Sequence, residues 1–94
     1  MKRYAVLYTP AAAKMIRKLS PEIRDACKNA IEHISENPFA GKQLKEPMSG
    51  LRSFRTSSYR IIYKVEQRKI TIIVIAVGHR RDIYEKLKRI ISTK

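Results

Sequence analysis

The sequence predicts an α+β fold in the order β-α-α-β-β-β-α: a small antiparallel or mixed four-stranded sheet, packed on a helical hairpin and followed by a C-terminal helix. Three observations carry that prediction. Apolar residues recur at helical spacing behind two Pro-marked starts, Thr9-Pro10 and Ser20-Pro21. After Gly50 the apolar period changes to two. Residues 70–77 are apolar on both faces, apart from one Thr, and so belong inside a sheet.

Taken in order, residues 4–8 are short, apolar and aromatic and read as a buried strand. Thr9 then serves as N-cap with Pro10 at the first helical position, and Ala12, Met15, Ile16 and Leu19 form the stripe. Ser20-Pro21 repeats the punctuation, with Glu22 and Asp25 placed for the positive end of the next helix. Its stripe is Ile23, Cys27, Ala30, Ile31 and Ile34, and Asn37-Pro38 ends it. Residues 37–50 hold two prolines and two glycines. A loop of that length is near the upper end for a compact domain, which points to function; Phe39 and Leu44 are expected to pin it to the core. Strands follow at 51–56 and 59–65 around Ser57-Ser58, then a polar hairpin loop at 66–69. Tyr59, Ile61, Tyr63 and Val65 face one way, and Arg60, Ile62 and Lys64 the other. Asp82 caps the last helix, whose apolar side is Ile83, Leu87, Ile90 and Ile91. The first strand pairs best with residues 70–77. The hairpin then covers one face of the sheet, leaving the face of Arg60 partly open.

At 94 residues the chain makes one domain, 1–94. Its 21 Lys and Arg against 8 Asp and Glu give a net charge of +13. The excess is uneven: residues 1–47 carry nine basic and five acidic side chains, residues 48–94 twelve and three. A polyanion or an acidic protein would relieve the self-repulsion, and its site should be built from the second half. Cys27 stands alone, so no internal disulfide forms, and its place in a helical stripe suits a core residue. The run at 4–8 is too short for a signal peptide or a membrane span, so a soluble cytoplasmic protein without membrane contact is expected.

Metal-ligand spacings, phosphate-cradling glycines and a nucleophile elbow are absent, so neither a metal nor a cofactor is expected. What remains is cations, a histidine and a tyrosine near one end of the sheet. RNA carries its own nucleophile, the 2′-hydroxyl. Its cleavage needs a base, cations for the crowded phosphorane and an acid for the leaving 5′ oxygen. Arg60, Arg80 and Arg81 can serve the phosphate, His79 and Glu46 can move protons, and Tyr84 can stack on a base or donate a proton. Arg52, Arg55, Lys64 and Lys45 add phosphate-positioning charge, as does Arg81. Each has a plainer reading. Arg60 or Lys64 can project into solvent, His79 can be an ordinary loop residue, Tyr84 a core aromatic, and Glu46 the partner of Lys45 or Lys42. His33 reads as structural or exposed.

Three segments together resemble the RelE/ParE superfamily of toxin–antitoxin toxins. They are Gly50-Leu51-Arg52-Ser53-Phe54-Arg55, Ser58-Tyr59-Arg60-Ile61-Ile62-Tyr63-Lys64-Val65 and Val77-Gly78-His79-Arg80-Arg81-Asp82-Ile83-Tyr84. On the RelE branch the resemblance implies a toxin that enters the ribosomal A site and cuts mRNA there without metal. It places Arg60 on the strand arginine that contacts the scissile phosphate, Arg80 on a second catalytic arginine, and Tyr84 on the tyrosine that orients the nucleotide. Glu46 sits in a loop similar to the YoeB branch, where a glutamate is the base; His79 matches that branch's histidine loosely. Two lysines of some RelE toxins fall at Leu51 and Ser53, so a lysine base is missing here. Arg52 and Arg55 flank that gap, and arginine is a poor base at neutral pH. The implied partners are an acidic RelB-like antitoxin, with the toxin monomeric inside that complex, and the 30S A site with its mRNA. The alternatives are a ParE-like inhibitor of DNA gyrase and a non-catalytic module that grips ribosome or nucleic acid.

Overall fold

The computed structural model describes residues 3–92. In chain order it forms β1 (Ala5–Tyr8), α1 (Pro10–Arg17), α2 (Pro21–Glu36), β2 (Lys42–Gln43), β3 (Arg52–Thr56), β4 (Tyr59–Glu66), β5 (Thr71–His79) and α3 (Ile83–Ser92). A single turn of 3₁₀ helix at Gln67–Lys69 joins β4 to β5. The sheet is mixed and has five strands in the order β1-β5-β4-β3-β2, with only β1 and β5 parallel. The fifth strand was not expected. Lys42 and Gln43 of the long loop pair with Ser53 and Arg52, a two-residue match too short to leave a period in the sequence.

β5 lies inside the sheet as its two apolar faces demand, and β1 does pair with it. But β1 is an edge strand rather than a buried one: Leu7 is 57 % and Tyr8 46 % exposed. The reason is at Thr9. The ladder between β4 and β5 slips between Ile62 and Tyr63, whose partners are Ala76 and Val74, so Ile75 is an extra, bulged residue. Thr9 closes β1 at that bulge. Its N–H donates to the Val74 carbonyl at 3.1 Å and its hydroxyl to the Ile75 carbonyl at 3.1 Å. The same hydroxyl oxygen accepts from the Ala12 N–H at 3.0 Å and so caps α1. One side chain thus ends a strand and starts a helix, and α1 continues beside β5 where β1 stops. Ser20 makes no such side-chain bond; only its carbonyl takes part, accepting from the Arg24 N–H.

Two cores result. On one face Ala12, Cys27, Ala30, Ile31 and Ile34 of the hairpin pack on Ile61, Tyr63, Ile72, Val74 and Val77. On the other face α3 lies over Ile62 and Ala76 with Ile83 and Leu87, joined by Met48 of the loop. The face expected to stay partly open is therefore roofed by α3 over its apolar part. Burial pushes the Cys27 thiol above its usual range, as fits a core residue. Phe39, expected in the core, is 47 % exposed. The loop is held instead by Leu44, Met48 and above all Tyr63, whose buried hydroxyl donates to the Pro38 carbonyl and accepts from the Gly41 N–H, both at 2.8 Å. A Cβ on Gly41 would meet that hydroxyl at 2.5 Å, so only glycine allows this approach.

Candidate functional site

The tight turn at Ser57 (φ 56°) sets the β3–β4 register and puts Arg55 directly opposite Arg60. Opposed residues share a face, so both side chains stand on the α3 side, in line with the pair Ser53 and Ile62. Like charges directly opposed destabilise a sheet. Their juxtaposition here carries a cost that a bound anion would relieve. On its other flank Arg60 is paired with Gly78, which adds no side chain. A Cβ there would lie 3.0 Å from the Ile83 Cδ1, so glycine also lets the start of α3 settle on the sheet.

α3 in turn brings Tyr84 across to β3, where its hydroxyl donates to the buried Ser53 Oγ at 3.3 Å. Arg80 sits in the turn between β5 and α3. Its N–H donates to the Ser58 carbonyl at 2.8 Å, and the turn is closed by the Asp82 N–H to the His79 carbonyl at 2.9 Å. Arg80 is thereby fixed beside the β3–β4 turn, two residues beyond the partner of Arg60. Among the described residues, the guanidinium groups of Arg55, Arg60, Arg80 and Arg81 have no hydrogen-bond or ion-pair partner. The Arg60 Nε is buried and unpaired as well. A buried donor without a partner costs about 1–3 kcal/mol. An anion bound at this spot would satisfy it.

The structure does not bring every expected residue here. Tyr59 pairs with His79, and both stand on the hairpin face, opposite Arg60; their rings meet edge-on at 5.5 Å. The His79 Nδ1 accepts the Arg81 N–H at 3.2 Å, leaving Nε2 to carry the proton of the neutral ring. Glu46 lies in the loop before β3. From Leu51 to Arg55 the strand rises about 13 Å at 3.3 Å per residue, and the Glu46 carboxylate accepts from the Ser49 hydroxyl at 2.6 Å. Lys45 is exposed in the same loop. Arg52 faces away from Arg55. It donates to the Gly41 carbonyl at 2.7 Å and lies 4.9 Å over the Phe39 ring, so its charge braces the loop. Lys64 is paired with Glu66 at 3.1 Å. Arg81 is exposed beside Asp82, Glu85, Lys86 and Arg89. His33 is exposed, with its ring 5.5 Å from that of Phe54. No three His, Cys, Asp or Glu side chains converge among the described residues.

Sequence reasoning missed Ser53 as the partner of Tyr84 and Tyr63 as the anchor of the loop. Period-two alternation did place Tyr59 and Arg60 on opposite faces. Which of them His79 joins depends on the bulge at Ile75, and nothing in the apolar run of β5 announces that bulge.

The chain thus combines a parallel edge strand, a helical hairpin, an antiparallel meander and a closing helix, with unneutralised arginines at one end of the sheet. A family profile described as "ParE toxin of type II toxin-antitoxin system, parDE" matches residues 6–84. The toxin RelG of Mycobacterium tuberculosis is 33 % identical over 85 residues, covering 88 % of this chain and 98 % of RelG. The mRNA interferase toxin RelE of Escherichia coli is 32 % identical over 93 residues, covering 94 % and 98 %. Among solved structures, a chain of the toxin–antitoxin complex RelBE2 of M. tuberculosis superposes with a TM-score of 0.78 at 31 % identity, over 84 % of this chain and all of that one. The chain belongs to the RelE/ParE superfamily of type II toxin–antitoxin toxins, on its RelE-like branch.

Proposed function

We propose that this toxin is a ribosome-dependent endoribonuclease that cuts mRNA in the A site by attack of the 2′-oxygen on the adjacent phosphate. The observation that carries the reading is the opposed pair Arg55 and Arg60 with the buried, unpartnered Arg60 Nε. As the 2′-oxygen adds, negative charge grows on the phosphorane oxygens. Guanidinium groups gathered at one end of the sheet can stabilise that charge as paired donors, without calling on a metal. Arg60 is assigned to the scissile phosphate, Arg80 to its other non-bridging oxygen, and Tyr84, fixed through Ser53, to the neighbouring nucleotide. Glu46 and His79 are the titratable groups proposed for proton transfer, although neither touches the arginine cluster. Unchanged pH–rate profiles in Glu46→Gln and His79→Gln would exclude both. In the cell the 1–94 chain acts as one domain in the cytoplasm, restrained by an acidic, RelB-like antitoxin that neutralises the +13 charge.

The match to the ParE-described profile favours one second reading, inhibition of DNA gyrase. In vitro translation with purified toxin and end-mapped message decides between them. Cleavage within codons on the ribosome is the expected result. Intact message together with blocked gyrase supercoiling would establish the second reading, and intact message with translation inhibited would leave a binding module.

A further inference from the structure

A cleft of about 490 Å³ opens on the other side of the β5–α3 turn from Arg60. Its walls are α1, the end of β5 and α3. Lys14 of α1 and Lys18, the C-cap of that helix, enter one helical turn apart and so on one face. Lys86 enters from α3, and Tyr59 and His79 stand at the strand end. Asp82 is the one carboxylate in the lining. Among the described residues, none of the three ammonium groups has a hydrogen-bond or ion-pair partner. The apolar floor includes Met15, Leu19 and Ile90. Apart from His79, which is proposed above for proton transfer, none of these residues has a role assigned at the arginine site.

We propose that this cleft is a second RNA subsite, in which Lys14, Lys18 and Lys86 hold backbone phosphates while a base rests against the Tyr59–His79 edge.

Point-like cations beside an aromatic platform are what single-stranded nucleic acid asks of a protein: the charges track the backbone and every base offers a face to stack. With Nδ1 used by the Arg81 N–H, the Nε2 side of His79 is left to donate to a phosphate oxygen. The Gly78–Asp82 turn separates the two sites, and Arg80 and Arg81 lie along it. A strand leaving the Arg60 phosphate over that turn enters the cleft with cations along its path. An acidic polypeptide would meet the same charges. The flat Tyr59–His79 edge beside separated point charges matches the alternation of base and phosphate, and polyglutamate is the contrasting probe. The choice of RNA as the polyanion rests on the proposed function; the cleft and its charge do not.

The test measures binding rather than cutting, by salt titration of the full chain against two RNA probes, a mixed-sequence single-stranded oligonucleotide and ribosomes carrying no message, with polyglutamate as the acidic-polypeptide control. Each phosphate neutralised contributes about 0.7 to the slope of log K against log salt for single strands. Lys14→Ala/Lys18→Ala/Lys86→Ala should therefore lower the slope by about 2, and the triple Arg variant should restore it. Tyr59→Leu should weaken the oligonucleotide without changing the slope. A fall with the oligonucleotide assigns the cleft to message; a fall with ribosomes alone assigns it to ribosomal RNA. Unchanged slopes with both probes would overturn the proposal, as would a loss confined to polyglutamate. These lysines are exposed, so a matching thermal unfolding midpoint shows that the variant is folded. A wild-type chain that binds as expected yet leaves message intact would sink the nuclease reading and leave the subsite standing.

Discussion

Arg52 and Arg60 sit on neighbouring strands of one small sheet, and their surroundings are opposite. Arg52 gives its hydrogen bonds to the Gly41 and Phe39 carbonyls, covers an aromatic ring, and lies beside Tyr63, whose hydroxyl is satisfied twice over. Arg60 faces a second arginine, stands over a glycine and keeps a buried Nε without a partner. Both are half-buried arginines in a strand of a basic protein. The first is an internal brace, because its hydrogen bonds and those of the Tyr63 hydroxyl beside it are made within the chain. The second has the character of a site, because its pairing is left to something outside the chain. Partner accounting separates the two roles where charge and burial do not.

The largest effect should come from breaking that contrast at Arg60. Arg60→Ala is expected to lower single-turnover cleavage of ribosome-bound message about 100- to 1,000-fold, the usual loss for one transition-state donor. Its urea midpoint should hold or rise, since an uncompensated cation opposite Arg55 has gone. Arg52→Ala should do the reverse. Losing a charge-assisted bond to the loop is expected to cost about 1.5–3 kcal/mol of stability in urea titration, with cleavage by the folded fraction near wild type. Equal effects of the two variants on cleavage would erase the distinction.

Tyr63→Phe sharpens the same point without touching charge. It leaves the buried Gly41 N–H and Pro38 carbonyl without their shared partner, at about 1–3 kcal/mol. Burial also raises the Tyr63 phenol above its ordinary 10.0, partly offset by the Gly41 N–H and the charge of Arg52. The folded chain therefore holds that proton more tightly than the unfolded chain. The resulting stability is complete below pH 10 and is lost as pH rises through the folded value. Guanidinium titrations across that window should show a flatter alkaline decline in Tyr63→Phe, with the exposed Tyr8 continuing to contribute in the same direction. The smallest change is at Gly78. In Gly78→Ala the new methyl meets the flexible end of Ile83, so about 1 kcal/mol is expected. Faster amide exchange over the first turn of α3 should show Tyr84 loosened from Ser53.

The local rules were legible where one residue type has one use. Thr9-Pro10 starts α1, Gly50 stands at the change of period, and the doubly apolar run of residues 70–77 finds its place inside the sheet. Half of the candidate site was equally legible, since alternation alone set Arg60 apart from Tyr59 and Tyr63. The sequence by itself therefore determined the element order, the basic character of the second half and the candidate arginines, because these follow from spacing and composition along the chain. Only the tertiary structure decided that β1 is an edge, that α3 roofs the face of Arg60, that His79 turns to a different cleft and that Arg52 is already occupied. Those outcomes hang on the Ile75 bulge and on loop carbonyls far away in sequence. A one-residue shift in register exchanges faces, and a hydrogen bond across a fold leaves no periodicity behind.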